Sequence, residues 1–353
     1  MSKKHVSWLL VATLAVATVL LLMPGKTGKE SVFEVTPLVP GLDQRVNDIA
    51  RVRIVRAGQQ PVASMTRADR GWVVDEAHSY PADWARLKEL LAAVAQAKVV
   101  EQKTSNPDYF DRLGVTDIAA GDSSAVLVEI GEGEEMLKLL VGNAAQGRER
   151  QYVRFADGNQ VLLIDRLISV SGEAADWLER DIIDLAEAEV VELSLAHADG
   201  EKVSISKVSA EDTDFTLADI PKGRKVASSF GVNALGGSLA GLRLEAVKPD
   251  TELDWSQSTR LRALTADGLE IQAEFISAEE SGWLRLKAFA YAADEGESAQ
   301  QYGETEAPTA AEREKRVKNI NLRVSGWAYS IPEYQWKLMT KRKEDLLAPA
   351  GQG

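Results

Sequence analysis

One pattern comes round twice in this chain, and it limits the fold more than any other feature. In the first half, β-rich runs flank Ala57-Gly58 and lead to Gly71-Trp72-Val73-Val74, then Pro81, a helical stretch and Lys98-Val99-Val100-Glu101. In the second half, runs flank Asp199-Gly200 and lead to Asp214-Phe215-Thr216-Leu217, then Pro221, another helical stretch and Leu242-Arg243-Leu244-Glu245. More strand-like runs follow in each: Ala125–Val141 in the first, Leu261–Phe275 and Gly282–Ala290 in the second. At an offset of about 145 residues, the pattern reads as one supersecondary unit used twice. A β-hairpin, strand, helix, strand and meander in each copy predict an α+β fold with antiparallel sheets and helices packed on one face. The expected units are 46–187 and 188–347.

Local signals fill in the units. Tyr80-Pro81-Ala82-Asp83 predicts a helix start, with Pro81 in the first turn, where its missing N–H costs nothing. Trp84, Leu87, Leu90, Leu91 and Val94 then line one apolar face. Asn106-Pro107 opens a short helix that Gly114 closes. Asp157-Gly158, Asp199-Gly200 and Asp267-Gly268 each separate strand-like runs and predict hairpins with type I′ turns. Ser171 to Arg180 reads as a helix carrying Trp177 and Leu178 on its apolar side, and Glu333 to Leu347 as a helical tail. Residues 292–311 contain no Lys or Arg and predict a solvated acidic loop within the second unit.

The N-terminus sets where such a body sits. Val6–Met23 is 18 residues without a charge, Gly or Pro. As a helix it spans about 27 Å, close to a bilayer's hydrocarbon core. A cleaved signal would end in a small-x-small site, whereas this run ends Leu-Leu-Leu-Met-Pro-Gly-Lys. The expectation is a membrane anchor over 6–23 after a leader of 1–5, then a stalk over 24–45, with a tail at 348–353. Lys3, Lys4 and the N-terminal amine favour a cytoplasmic N-terminus at a bacterial inner membrane and a periplasmic body. The net charge of −13 argues against a nucleic-acid partner, whose phosphates call for a basic surface. The absence of cysteine removes thiol chemistry.

No catalytic constellation emerges. His5, His78 and His197 lack metal-ligand spacing. No G-x-S-x-G is present. Gly25-Lys26-Thr27 lacks the strand and first glycine of a phosphate loop. The acidic pairs Asp212/Asp214, Glu134/Glu135 and Glu279/Glu280 fall in loop-like stretches, where solubility accounts for them. No cofactor is expected. Most of the eight tryptophans lie on apolar faces and read as core. Trp255 and Trp336 are the two to watch for exposure, since a glycan- or peptide-binding module predicts that they face solvent. Between Glu312 and Asp345 cations outnumber carboxylates, so Trp255, Trp336, Lys341, Arg342 and Lys343 form the candidate interaction surface.

At Gly71-Trp72-Val73-Val74, Tyr80-Pro81-Ala82-Asp83, Leu87 and Leu90-Leu91 the chain resembles a bacterial family known only as domain of unknown function 4340. The likeness continues through Tyr152-Val153, Asp176-Trp177-Leu178-Glu179-Arg180-Asp181-Ile182-Ile183, Trp327-Ala328-Tyr329-Ser330-Ile331-Pro332 and Glu344-Asp345-Leu346-Leu347. The resemblance implies one N-terminal membrane helix and a large extracytoplasmic body. It also implies association with ABC-transporter permease and ATPase subunits of the gliding-auxiliary type. It brings no catalytic residues. The expected function is therefore a non-catalytic accessory or scaffold subunit, with an envelope glycan- or peptide-binding module as the alternative and an envelope hydrolase after that.

Overall fold

The β-rich runs pair as hairpins, and the hairpins assemble into two antiparallel sheets with one topology. The computed structural model describes residues 34–147, 149–209, 212–279, 281–291 and 308–349. The first unit contains β1 (Thr36–Pro37), β2 (Arg51–Arg56), β3 (Gln60–Ala68), β4 (Gly71–Val74), β5 (Tyr80–Pro81), β6 (Lys98–Gln102), β7 (Val126–Ile130), β8 (Leu137–Ala144), β9 (Gln151–Phe155) and β10 (Val161–Ile164). A short β11 (Asp181–Ile183) follows. The second unit contains β12 (Val190–Ala196), β13 (Lys202–Ser206), β14 (Thr216–Leu217), β15 (Leu242–Arg243), β16 (Ala246–Pro249), β17 (Thr259–Thr265), β18 (Leu269–Ala278), β19 (Ser281–Ala290) and β20 (Trp327–Ser330). The helices are α1 (Leu42–Arg45), α2 (Trp84–Gln96), α3 (Phe110–Leu113), α4 (Ser229–Gly236), α5 (Ala310–Val324) and α6 (Glu333–Met339).

The ten-stranded sheet runs β1-β6-β10-β9-β8-β7-β2-β3-β4-β5 and the eight-stranded sheet β14-β13-β12-β17-β18-β19-β20-β16. Without the edge strands β1 and β5, each strand of the first order has a counterpart ten places later in the second. The duplication extends to side chains. Arg67 lies over the Trp72 ring at 5.6 Å, and Lys207 over the Phe215 ring at 4.8 Å, at matching register. It extends to loops as well. Ala82 bridges Leu178 and Val226 bridges Leu347. Around these bridges Asp83 N–H donates to Trp177 O and Ala227 N–H to Leu346 O, each at 2.9 Å. Glu179 N–H donates to Pro81 O and Ala348 N–H to Lys225 O, again at 2.9 Å. Residues 291–326, carrying α5, are an insertion between β19 and β20, where β9 and β10 are joined directly by 156–160.

Several local expectations are corrected. The Asp-Gly hairpins are present, but none has a type I′ turn. Gly200 and Gly268 have φ of 91° and 85°, while Asp199, Asp267, Asp157 and Gly158 all stay out of the left-handed region. At 197–201, Gly200 N–H donates to His197 O and His197 N–H to Glu201 O, both at 2.9 Å. This is the three-residue loop that ends in a left-handed glycine. Pro81 sits in β5, and Asp83 caps α2 by accepting the Arg86 N–H at 3.0 Å. Leu87, Leu90, Leu91 and Val94 are buried as expected, but Trp84, one residue past the cap, is 48% exposed. The stretch 171–180 is not a helix. Only a 3-10 turn forms at Ala174–Trp177, because the main chain after it is drawn out to pair with 81–83. The tail likewise breaks after Met339 into a 3-10 turn at Lys343–Leu346. Leu242–Arg243 pairs with β11, and the return strand of the second sheet is Ala246–Pro249.

The inner sheet faces and helices enclose one continuous hydrophobic core through both units. Tyr80 of the first unit meets Trp327 and Tyr329 of the second edge to face, at 5.0 and 6.2 Å between ring centres. Burial pushes the Tyr80 phenol up to about 12 and the Tyr329 phenol higher still, so both phenols stay neutral in this seam. Among the described residues no helix is long and apolar enough to cross a membrane. The expected leader and anchor, residues 24–33 of the stalk, the acidic segment 292–307 and the end of the tail lie outside the described residues, and the rest of the expected stalk is corrected: Thr36–Pro37 pairs with β6 and Leu38 and Leu42 are buried in the core.

Candidate functional site

Each sheet also has an outer face, and the two units cover it differently. In the first, segment 103–125 lies across the middle. Ile118 and Ala125 pack on Val55, Leu127 and Leu140, and Phe110 and Val115 pack on Val161. Arg154, only 1% exposed, clasps this segment from below. Its guanidinium donates to Val115 O (3.0 Å), Gly158 O (2.8 Å) and Asp117 Oδ1 (2.8 Å), and stacks 4.5 Å over Phe110. In the second unit the corresponding connection is only 250–258. It seats Trp255 against Ile276, Trp283 and Ala328 at one end of the face.

The uncovered remainder is a trough of about 960 Å³ over β12, β13, β17, β18 and β19. Short side chains, Ser194, Ala196 and Ser204, make its floor. Arg260, Arg262, Arg285, Lys202 and Lys287 stand around them with Glu192 and Glu274. Alternation along each strand sends these residues outward while Leu193, Leu195, Leu261, Ala273 and Leu286 point into the core.

The charges form cross-strand ladders. Glu274 accepts from Arg285 at 2.6 Å and from Arg260 at 3.3 Å; Glu270 accepts from Arg262 at 2.9 Å and from Gln272 at 2.6 Å. Arg285 also lies 4.6 Å over the Trp255 ring. Burial raises the pKa of both carboxyls, but the hydrogen bonds and guanidinium charges outweigh it, and both are held below the ordinary carboxylate value. A depressed folded-state pKa adds stability above the unfolded value, about 4.3, that disappears as pH falls through the lower folded value. The thermal midpoint should therefore drop on acidification below about pH 4.5, and the double variant Glu270→Gln/Glu274→Gln should show a smaller drop than wild type. Equal acid sensitivity in the two proteins would show that these pairs contribute nothing.

The residues singled out in the sequence are mostly engaged within the chain. Trp255 is 9% exposed and its indole N–H donates to Asp250 O at 2.8 Å. Trp336 is half-buried, set against Phe275 and directly over Gly282, where a Cβ would lie 2.2 Å from the indole. Trp255 is thus not the solvent-facing tryptophan that a glycan- or peptide-binding module predicts, and Trp336 is only partly open. Arg342 pairs with Asp199 and Glu201. The Lys343 N–H donates to Glu201 at 2.8 Å and its amine to Asp219 O at 3.2 Å, while Lys341 O lies 3.1 Å from His197 Nε2. The basic stretch of the tail thus pins the chain end to the β12–β13 hairpin.

The trough itself was legible only as strand alternation, since nothing in the sequence says which outer face goes uncovered. Among the described residues no cluster of His, Cys, Asp and Glu is placed to hold a metal ion. The buried Lys207 amine donates to Glu187 O and Ala188 O at 2.9 and 3.3 Å, a clamp on the turn before β12. Comparison with known proteins gives one match: the family described as Domain of unknown function (DUF4340), over residues 72–260. No curated protein and no solved structure matches.

Proposed function

The chain belongs to the DUF4340 family, and on that premise we propose that it is a non-catalytic accessory subunit, tethered by Val6–Met23 and presenting the outer face of its second sheet to another membrane-complex subunit. The tether sits in a bacterial inner membrane with the body on the periplasmic side, and the partner is of the ABC-transporter type that the family resemblance implies. One observation carries the reading. The carboxylates that line the trough are tied to guanidinium groups across a broad open face, which suits recognition by charge and shape. General acid–base chemistry would instead need convergent groups whose environments push their pKa values apart.

Lys202 and Lys287 are exposed in this face and neither takes part in an ion pair among the described residues. The double variant Lys202→Glu/Lys287→Glu should fold normally and lose at least tenfold in recovery of the partner from native membranes. Undiminished recovery with a normal thermal midpoint would remove the face from the proposal.

A further inference from the structure

A second trough lies at the other end of the duplicated outer face, in the first unit. It has a volume of about 1100 Å³ and is bounded by α3, the ends of β6 and β8 and the start of β9. In the second unit the corresponding place is filled by Trp255 and Trp283, with Lys248 paired to Glu279 at 2.7 Å. In the first unit it is open, and its charges do not balance. Glu101 takes Lys103 at 2.7 Å. The guanidinium groups of Arg112 and Arg150 have no carboxylate within 4.0 Å and no side-chain hydrogen bond among the described residues. An unmatched pair of guanidinium groups in a chain of net charge −13 points to an anionic ligand.

The rest of the lining narrows the class. Tyr109 is 47% exposed, and the half-buried Tyr152 lines the same trough; neither hydroxyl has a protein partner among the described residues. Asn143 and Gln146 add side-chain amides. The backbone beneath is already used. Lys103 N–H donates to Val161 O at 2.8 Å, Val161 N–H to Thr104 O at 2.9 Å, and Ala145 N–H to Arg150 O at 2.8 Å. With those main-chain groups spent, a peptide has no ladder to extend there, so recognition runs through side chains. The exposed Tyr109 ring for the C–H face of a sugar, amides and hydroxyls for sugar hydroxyls, and forked guanidinium groups for carboxylates make one consistent set.

We propose that this trough binds an acidic oligosaccharide, its carboxylates held by Arg112 and Arg150 and a ring stacked on Tyr109. Two glycines shape it. A Cβ on Gly142 would lie 2.5 Å from Leu113 O, so α3 approaches β8 this closely only with glycine there, and Gly114 closes α3 at a φ of +68°, which favours glycine. The site is separate from the partner face and does not depend on it.

Isothermal titration of the full-length chain in detergent, with hexagalacturonate as probe, tests this. Hexagalacturonate should bind at least tenfold more tightly than neutral maltohexaose, with affinity falling as salt rises. Arg112→Ser/Arg150→Ser should weaken it at least tenfold with an unchanged thermal midpoint, and Tyr109→Ala at least threefold. Absence of binding at millimolar hexagalacturonate, equal affinity for maltohexaose, or full affinity in the arginine variant would overturn the proposal. Hexaglutamate binding as tightly as hexagalacturonate would overturn the assignment to a saccharide.

Discussion

Arg154→Ala should cost about 3–4 kcal/mol of folding stability and release segment 103–125 from the first sheet. The side chain is almost wholly buried, yet it makes no deep ion pair, because Asp117 is itself 64% exposed. Most of its contribution comes from the two main-chain carbonyls, Val115 O and Gly158 O, which it satisfies beneath the segment. A hydrogen bond from a charged donor contributes roughly 1.5–3 kcal/mol, and an orphaned buried carbonyl adds its desolvation cost. Arg154→Lys keeps the charge but loses the fork that reaches Val115, Gly158 and Asp117 together, so it should recover less than half of the loss. Denaturant unfolding gives the magnitude, and hydrogen exchange at 110–125 gives the place. A loss below about 1 kcal/mol, or unchanged protection of that segment, would show that apolar packing alone holds it down.

Trp177→Ala should cost about 4 kcal/mol, near the upper end of large-to-small core substitutions. Trp177 has no exposed surface, its indole N–H donates to Ser171 O at 3.1 Å, and its carbonyl accepts the N–H of the residue that caps α2. Its counterpart in the duplicated unit is Leu346, 2% exposed, whose carbonyl accepts from Ala227 just before α4. Leu346→Ala should therefore cost about 3 kcal/mol, although it lies almost at the end of the described chain. Chain ends usually tolerate change well. A near-neutral Leu346→Ala would mean that the second closing segment is not equivalent to the first.

The duplication could be read in the sequence, and the reason is physical. Alternation with period two marks the strands, and Asp-Gly or Ala-Gly marks their turns, wherever they occur. The closing segments Asp176-Trp177-Leu178 and Asp345-Leu346-Leu347 could also have been matched. They were obscured because the insertion at 291–326 shifts the second away from the offset of the strands. The type I′ turns failed for a different reason. Asp-Gly also serves a loop in which only the glycine is left-handed, and the dipeptide alone does not choose between the two. Ser171–Arg180 carried apolar residues at helical spacing, but pairing with 81–83 required an extended chain, and that demand comes from residues far away in sequence. Trp255 and Trp336 looked free because the partners that bury them, Trp283 and Gly282, come from another strand of the sheet. The open trough was the least legible feature. It arises from the difference in length between 103–125 and 250–258, and that difference has a meaning only once the two connections are seen to cross equivalent sheet faces.

If the tethered body offers the outer face of its second sheet to a transporter-type subunit, as proposed, the two should leave the membrane together. Purification of the full-length chain from its own membranes in mild detergent, with lysine crosslinking and mass spectrometry, should recover permease and ATPase subunits stoichiometrically, with crosslinks concentrated at Lys202 and Lys287. Recovery of the chain alone, under conditions that keep known membrane complexes intact, would contradict it.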